Sequence, residues 1–424
     1  MKRVKNHAAI PVLLFAIIII VVNSVQIYSA KEDGSFQLRD IEGDRKAIEN
    51  ITITGALGDS YHNTRFQIVR GAVMHQTELY DQPLKASIWN HDTGDRRVAG
   101  DMMYRAEGGP RFEVHSYDIS DQNYYPVGRA EVSVNINNPA PVREYRYTNS
   151  LGYGLAVIGQ RVFFTPPVTA DFTGKSGIYE LAFHHWASSG IWKPKSQSRR
   201  LVEIDIQANE GDSSSNSQVI GLEAVSGKLV LLTAENGELK ISSYDSDSGS
   251  LLGQADVAEV PLNGSLQKWK ERSYAESYQA FTDEQQQFLY LIFTSAASLP
   301  DQVKRLVLTI DVSEGVHIAD LSAVTFTDGT EGPDDGIKAL RYKDGKLYAV
   351  RMMRDAKDEN SRIFFEFALP RHLMLYAYEG GVQKYKGELV TDRNDDMIRA
   401  INLPPQGFSY NHDLLRQFSG LQID

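Results

Sequence analysis

The sequence predicts an all-β body, an array of antiparallel four-stranded units, set behind one N-terminal apolar helix. Three observations carry that prediction. Ala8 to Val22 reads AAIPVLLFAIIIIVV, fifteen residues without a charge, preceded by Lys2, Arg3 and Lys5. From Ile51 onward the chain turns to short runs rich in β-branched and aromatic residues, bounded by Gly, Asn, Asp and Pro. From Tyr147 to Asp392 those runs recur as a longer unit, with copies starting about 50 to 65 residues apart.

The leading segment comes first. Fifteen helical residues rise roughly 22 Å, short of the roughly 30 Å hydrocarbon core. Continuing to Ala30 supplies the length, although Asn23, Ser24, Gln26 and Ser29 dilute it. A basic start before a short apolar run is also the mark of a secretory signal peptide, but Val22-Asn23-Ser24 and Tyr28-Ser29-Ala30 are both poor cleavage sites. Residues 1–30 are therefore expected to be an uncleaved signal-anchor or a cleaved signal. Either way the N-terminus stays cytoplasmic and the bulk is exported. The protein is then a single-pass membrane protein, or secreted if cleaved.

Composition narrows the classes further. There is no cysteine, which excludes disulfides, thiol catalysis and cysteine-ligated zinc. A cysteine-free exported body behind a basic-apolar start points to a bacterial extracytoplasmic protein. The chain carries a net charge of −11, and setting aside the three leading positive charges leaves −14 for the exported part. A surface that acidic argues against nucleic acid, anionic lipid headgroups and similar polyanions as partners. The expected partners are the membrane, through the N-terminal helix, and an envelope protein.

Residues 31–50 are charged and hold few apolar side chains, so they are expected to form a stem, with a helical turn near Asp44 to Asn50. The extracytoplasmic domain is expected over 51–424. Ile51 to Thr54 and Arg65 to Val69 read as strands, and Gly71 turns the second into Ala72 to Tyr80. Further strands are expected at Lys85 to Trp89, Arg111 to Tyr117, Ala130 to Ile136 and Val142 to Tyr147, broken by Asn137 to Pro141.

The recurring unit is clearest at Gly227 to Thr233, a Glu235-Asn236-Gly237 turn, and Leu239 to Asp245. Tyr342 to Val350, with Leu373 to Tyr378 and the Gly380-Gly381 turn, repeats it. So do Phe288 to Phe293 with Arg305 to Asp311, and Leu155 to Phe164 with Gly177 to Leu181 and Arg200 to Ile206. This grammar, a Gly-Lys-Leu start and a strand ending Tyr-Asp or Ile-Asp, resembles the blades of exported bacterial β-propeller proteins of the quinoprotein-like or WD40-like kind. The resemblance covers 147–392, with degenerate earlier blades from residue 51, and implies sheets stacked around an axis with function in loops at one mouth of the channel. No copy carries a Gly-His and Trp-Asp pair, and no specific family follows. Two antiparallel β-sandwich domains are the alternative architecture. Asn411 to Phe418 reads as a short terminal helix.

Candidate chemistry is sparse. His184-His185-Trp186 could ligate a metal only in a loop, with Asp171 or Glu180, since adjacent strand residues face opposite ways. Acidic loops recur at Asp245 to Gly249, Asp328 to Asp335 and Asp392 to Asp396, and none has the EF-hand pattern. A structural Ca²⁺, if one is held, is expected on Asp328, Glu331, Asp334 and Asp335; solvated turns are the other reading. No other cofactor is expected. The Ser265-x-x-Lys268 pair lacks its companion motifs, and Gly174-Lys175-Ser176 lacks the first glycine of a P-loop. One basic island interrupts the acidic body. Trp186, Trp192, Lys193, Lys195, Arg199 and Arg200 are the candidate recognition surface. The expected role is binding or sensing, as an accessory to an envelope or transport complex and without catalysis. The alternatives are an exported glycan- or cell-wall-active enzyme with an acidic site at the propeller mouth, and a structural envelope protein.

Overall fold

The computed structural model describes residues 35–82, 96–107, 112–120, 125–132, 135–137, 154–166, 173–185, 198–206, 218–235, 238–261, 278–294, 303–326, 336–354, 371–392 and 416–424. Two compact units divide the chain, one made of Met1–Leu84 with Asp328–Asp424 and the other of Lys85–Thr327. The first unit opens with β1 (Phe36–Gly43), a 3-10 turn at Arg45–Ile48, β2 (Thr52–Gly58), β3 (His62–Val69) and β4 (Ala72–Leu79). The second unit follows with β5 (Arg96–Ala99), β6 (Met102–Glu107), β7 (Phe112–Asp118), β8 (Tyr125–Val132), β9 (Asn135–Asn137), β10 (Leu155–Ile158), β11 (Arg161–Phe164), β12 (Thr173–Glu180), β13 (His184–His185) and β14 (Arg199–Ile206). It continues with β15 (Gln218–Val225), β16 (Lys228–Glu235), β17 (Glu238–Asp245), β18 (Leu251–Pro261), β19 (Tyr278–Asp283), β20 (Phe288–Thr294), β21 (Val303–Asp311) and β22 (His317–Phe326). The chain returns to the first unit with β23 (Gly336–Lys343), β24 (Lys346–Arg354), β25 (Arg371–Glu379), β26 (Val382–Thr391) and β27 (Gln417–Ile423).

Among the described residues the strands form six antiparallel sheets, each built on four strands. Sheet I is β27-β2-β3-β4 and sheet II is β5-β6-β7-β8, with β13 added to β8. Sheet III is β10-β11-β12-β14, with β9 also on β12. Sheets IV (β15 to β18) and V (β19 to β22) are plain meanders, and sheet VI is β23-β24-β25-β26 with β1 added to β26.

In the second unit the sheets stack in chain order. Sheets II and III share one core, including Val114, Ala130, Val162 and Phe164. Sheets III and IV share another through Phe163, Ile178, Leu222, Leu229 and Leu231. Sheets IV and V share a third through Val230, Leu232, Ile241, Leu291 and Leu308. Sheets III and IV are thus covered on both faces, and the first strands β5, β10, β15 and β19 lie beside one another. A two-layer sandwich leaves the outer face of each sheet in solvent, so the sandwich alternative does not describe this unit. Burial on both faces is why β16 reads Leu-Val-Leu-Leu without alternation: Leu229 and Leu231 enter one core, Val230 and Leu232 the other. Each such side chain contributes roughly 1.5–3 kcal/mol of burial free energy.

The repeated grammar has a structural cause at both ends. Ser226-Gly227 and Asp344-Gly345 turn the first strand of sheets IV and VI into the second, with φ of 48° and 79°, and 53° and 75°. Two successive left-handed residues define the hairpin turn that suits twisted strands, and glycine adopts that region without strain. The following Lys-Leu opens the second strand. At the other end, the third strands of sheets II, IV and V finish in Asp118, Asp245 and Asp311. Each carboxylate accepts a backbone N–H two residues on, from Ser120 (2.9 Å), Asp247 (3.1 Å) and Ser313 (2.8 Å).

In the first unit the two ends of the chain exchange strands. β27 pairs with β2, placing Phe418 opposite Leu57, and β1 pairs with β26, placing Leu38 opposite Leu389. Sheets I and VI share a core that takes in Leu38, Ile53, Phe66, Tyr348, Val350 and Leu375. Two expectations change here. Residues 36–43 lie in the segment whose charge suggested a stem, yet Phe36 and Leu38, two apart, share one strand face and are buried. The helical turn does form, capped by Asp44. The terminal helix over Asn411 to Phe418 is corrected where it is described: from Gln417 the chain is a strand, because β2, far away in sequence, offers it a ladder. Among the described residues no helix is long and apolar enough to cross a membrane. Ala8 to Val22 lies outside them.

Candidate functional site

Residues 218–225 read QVIGLEAV, and one acid stands in this apolar run. Glu223 lies opposite Val230 on β16, a residue of the core shared with sheet V. A carboxylate there requires partners, since an unpaired buried charge is strongly unfavourable. They come from two other first strands. Tyr278 of β19 donates its hydroxyl to Glu223 Oε1 at 2.8 Å. Arg97 of β5 donates from Nη2 to both carboxylate oxygens, at 3.3 and 3.4 Å. The Arg97 and Glu223 side chains are 16% and 7% exposed. The Tyr278 ring is buried against Phe293, with centroids 6.2 Å apart.

A tyrosine hydrogen-bonded to a glutamate is in principle a nucleophile with its base. Here Tyr278 is 2% exposed, and its oxygen is directed at the carboxylate. The cluster joins the first strands of sheets II, IV and V. Among the described residues the first strands of this unit carry one other carboxylate, Asp283, which accepts the backbone N–H groups of Gln285 and Gln286 at 3.1 and 3.0 Å.

The recognition candidates divide into two groups. Trp186, Trp192, Lys193 and Lys195 lie outside the described residues. Arg199 and Arg200 open β14 and are engaged by acids of their own sheet. Arg199 donates to Glu180 at 2.7 Å, and Arg200 pairs with Glu203 at 2.5 Å. Arg161, first residue of β11, meets the other Glu180 oxygen at 2.7 Å. It extends to Asp247 and to the Ser246 carbonyl on sheet IV. Hydrogen bonding from Arg161, opposed by burial and reinforced by Arg199, holds the Glu180 carboxyl below its ordinary range. Lys228 occupies the matching position on β16 and reaches the carbonyls of Val312 and Ser313 on sheet V. These two cations strap sheet III to IV and sheet IV to V.

Asp328, Glu331, Asp334 and Asp335, the calcium candidates, lie outside the described residues. In the Asp245 loop, Asp245 Oδ1 accepts Ser248 N and Oγ, both at 2.7 Å, and Asp247 faces Arg161. Asp392 accepts the backbone N–H of Ser35 at 2.8 Å. Among the described residues no group of three or more His, Asp or Glu side chains is placed to hold a metal ion. His184 and His185 form β13, opposite Arg129 and Gly128 of β8.

Sequence reasoning passed over Arg97, Glu223 and Tyr278, although the lone acid in a continuous apolar run was a readable signal. It also passed over a row across sheet II. Arg96, Arg105, His115, Arg129 and His184 lie directly opposite one another from β5 through β13. Glu113 and Glu131 flank the row, and Arg129 pairs with both, at 3.4 and 2.8 Å.

The sheets define a propeller-like all-β protein. Among solved structures the chain is similar to β-propeller proteins. A periplasmic gluconolactonase of Pseudomonas aeruginosa matches with a TM-score of 0.33 at 12% identity, over 78% of this chain and 82% of that one. A protein from Lactobacillus plantarum matches at 0.29 and 10%, over 80% and 96%. A prolyl endopeptidase structure matches at 0.32 and 10%; 81% of this chain is covered, but it spans only 42% of that one. At scores this low the likenesses carry no argument about activity. No protein-family model matches the chain, and no curated protein matches its sequence.

Proposed function

We propose that this chain is a binding or sensing protein without catalytic activity. Its N-terminal segment holds it at the outer face of a bacterial membrane, where it serves an envelope or transport complex. The observation that carries the reading is the closure of the Glu223 cluster. Glu223 is paired with Arg97 and hydrogen-bonded by Tyr278, and Asp283 Oδ1 accepts two N–H groups of its own turn, so these two carboxylates do not form an open pair. Glycoside hydrolysis needs two carboxyls flanking a substrate, one as acid and one as base or nucleophile. Recognition then falls to the basic, tryptophan-bearing segment, with Trp186, Trp192, Lys193 and Lys195 as the first residues to substitute.

The test is a reducing-end assay of the detergent-solubilised full chain on purified cell-wall glycan and exopolysaccharide. No release above blank is expected. Release that is abolished in Glu223→Gln overturns the reading and reinstates the enzyme. In membranes not treated with detergent, the chain is expected to stay in the pellet after alkaline carbonate extraction.

A further inference from the structure

Sheet VI is complete as the β23–β26 meander, just as sheets IV and V are complete with four strands. β1 is a fifth strand on its outer edge, and three observations set it apart within the first unit. Of its eight residues only Phe36 and Leu38 are buried, whereas β25 is buried along most of its length. Its ladder to β26 slips between Asp40 and Glu42. One of its polar ties runs inward, from the buried Tyr385 hydroxyl to Asp40 Oδ1 at 2.7 Å, and the others lie at or near the surface. Arg39, 63% exposed, pairs with Glu388; Arg45 pairs with Asp40 with both side chains well exposed; and Gln383 bonds Glu42 at the surface. Exposed pairs of this kind contribute little, so β1 is a strand that opens well before the sheet beneath it unfolds.

When β1 leaves, the ten-residue β26 becomes an open edge with a row of unpaired backbone groups. That edge is already shaped for one sequence. Phe36 and Leu38 enter the core at alternate positions, Arg39 meets Glu388, and Asp392 takes the backbone N–H of Ser35. Every copy of the chain carries that strand. We infer that β1 is an exchangeable strand, and that the vacated edge of β26 takes the Phe36–Gly43 strand of a second copy. Exchange of an identical element makes a dimer with no new interface chemistry.

The absence of cysteine makes the test direct. Gln37 and Val390 lie directly opposite each other, and the roughly 4.5–5.5 Å Cα separation of such pairs suits a disulfide. Full chains carrying Gln37→Cys and Val390→Cys singly are mixed at high concentration under mild oxidation and digested for mass spectrometry. The expected product is a disulfide joining position 37 of one copy to position 390 of another, rising with concentration. The double variant, oxidised at high dilution, is expected to close within one chain and to be locked out of exchange. Absence of the inter-chain disulfide after several days overturns the inference. Hydrogen exchange of the unaltered chain gives a second reading that needs no variant. β1 amides are expected to exchange at least roughly tenfold faster than those of β25, and equal protection also overturns the inference.

Discussion

Sheet IV and sheet II have the same meander strand order, yet they handle polar groups in opposite ways. Sheet IV carries an apolar core on each face, and its buried charged group among the described residues, Glu223, is tied to Tyr278 and Arg97. Sheet II has one apolar face, toward sheet III. Its other face carries the Arg96-Arg105-His115-Arg129-His184 row and the acids Glu113 and Glu131 beside Val98, Met103 and Tyr117. The paired side chains on that face are 17% to 32% exposed. A four-stranded unit therefore needs one apolar face to join the array, and what the second face carries is open to variation. The same Arg-Glu chemistry should also weigh very differently at the two places.

The largest effect is expected at Glu223. Replacing it with Ala removes the acceptor of a buried Tyr and a partly buried Arg, and breaking a buried pair by deleting one partner costs about 3–5 kcal/mol, an upper range for this pair. The urea midpoint of the Glu223→Ala chain should fall accordingly. Adding Arg97→Met should recover part of the loss, because the guanidinium that has lost its carboxylate goes with it. If Glu223→Ala is neutral, the cluster does not hold these first strands together, and the contrast between the two sheets disappears.

Acid should act next, and on the straps. The Glu180 carboxyl is held below its ordinary value by Arg161 and Arg199, so it binds protons less readily folded than unfolded. Stability then rises with pH through this region. The Glu180 contribution is fully present above the unfolded value and is lost as pH falls below about 4. For a partly exposed pair the size is about 1 kcal/mol. Glu180→Gln should flatten the acid limb of a stability-pH curve, and added salt should weaken the wild-type limb. An acid limb that keeps its slope in Glu180→Gln would place the titrating group elsewhere.

The contrast also explains what could be read from the sequence. Strands buried on both faces give continuous apolar runs, so β16, β20 and β24 stood out, as did the glycine turns and the aspartates that follow them. Sheet II alternates, as Phe112–Asp118 shows, and its polar half weakened the repeat until it looked degenerate. The exchanged strands were hidden for a different reason. Nothing local in FQLRDIEG or QFSGLQI marks a strand, because each is completed by a partner more than 300 residues away. The Glu223 cluster is likewise a product of topology: residues 97, 223 and 278 meet only because the first strands β5, β10, β15 and β19 lie in one row.

The smallest effect should come from the polar row itself. His115 lies at its centre, facing Arg105 and Arg129 across the ladder, with Nε2 3.4 Å from Glu113. Its side chain is 17% exposed, so water and neighbouring charges share its polar contacts. His115→Ala should then cost no more than about 1 kcal/mol, the range of partly solvated pairs. Here Arg129 still meets both Glu113 and Glu131, so no carboxylate is stranded. That redundancy is what separates the row from Glu223. A loss at His115 approaching that of Glu223→Ala, read from the same urea midpoints, would mean that this face behaves as a packed polar core, and the two sheets would differ in composition alone.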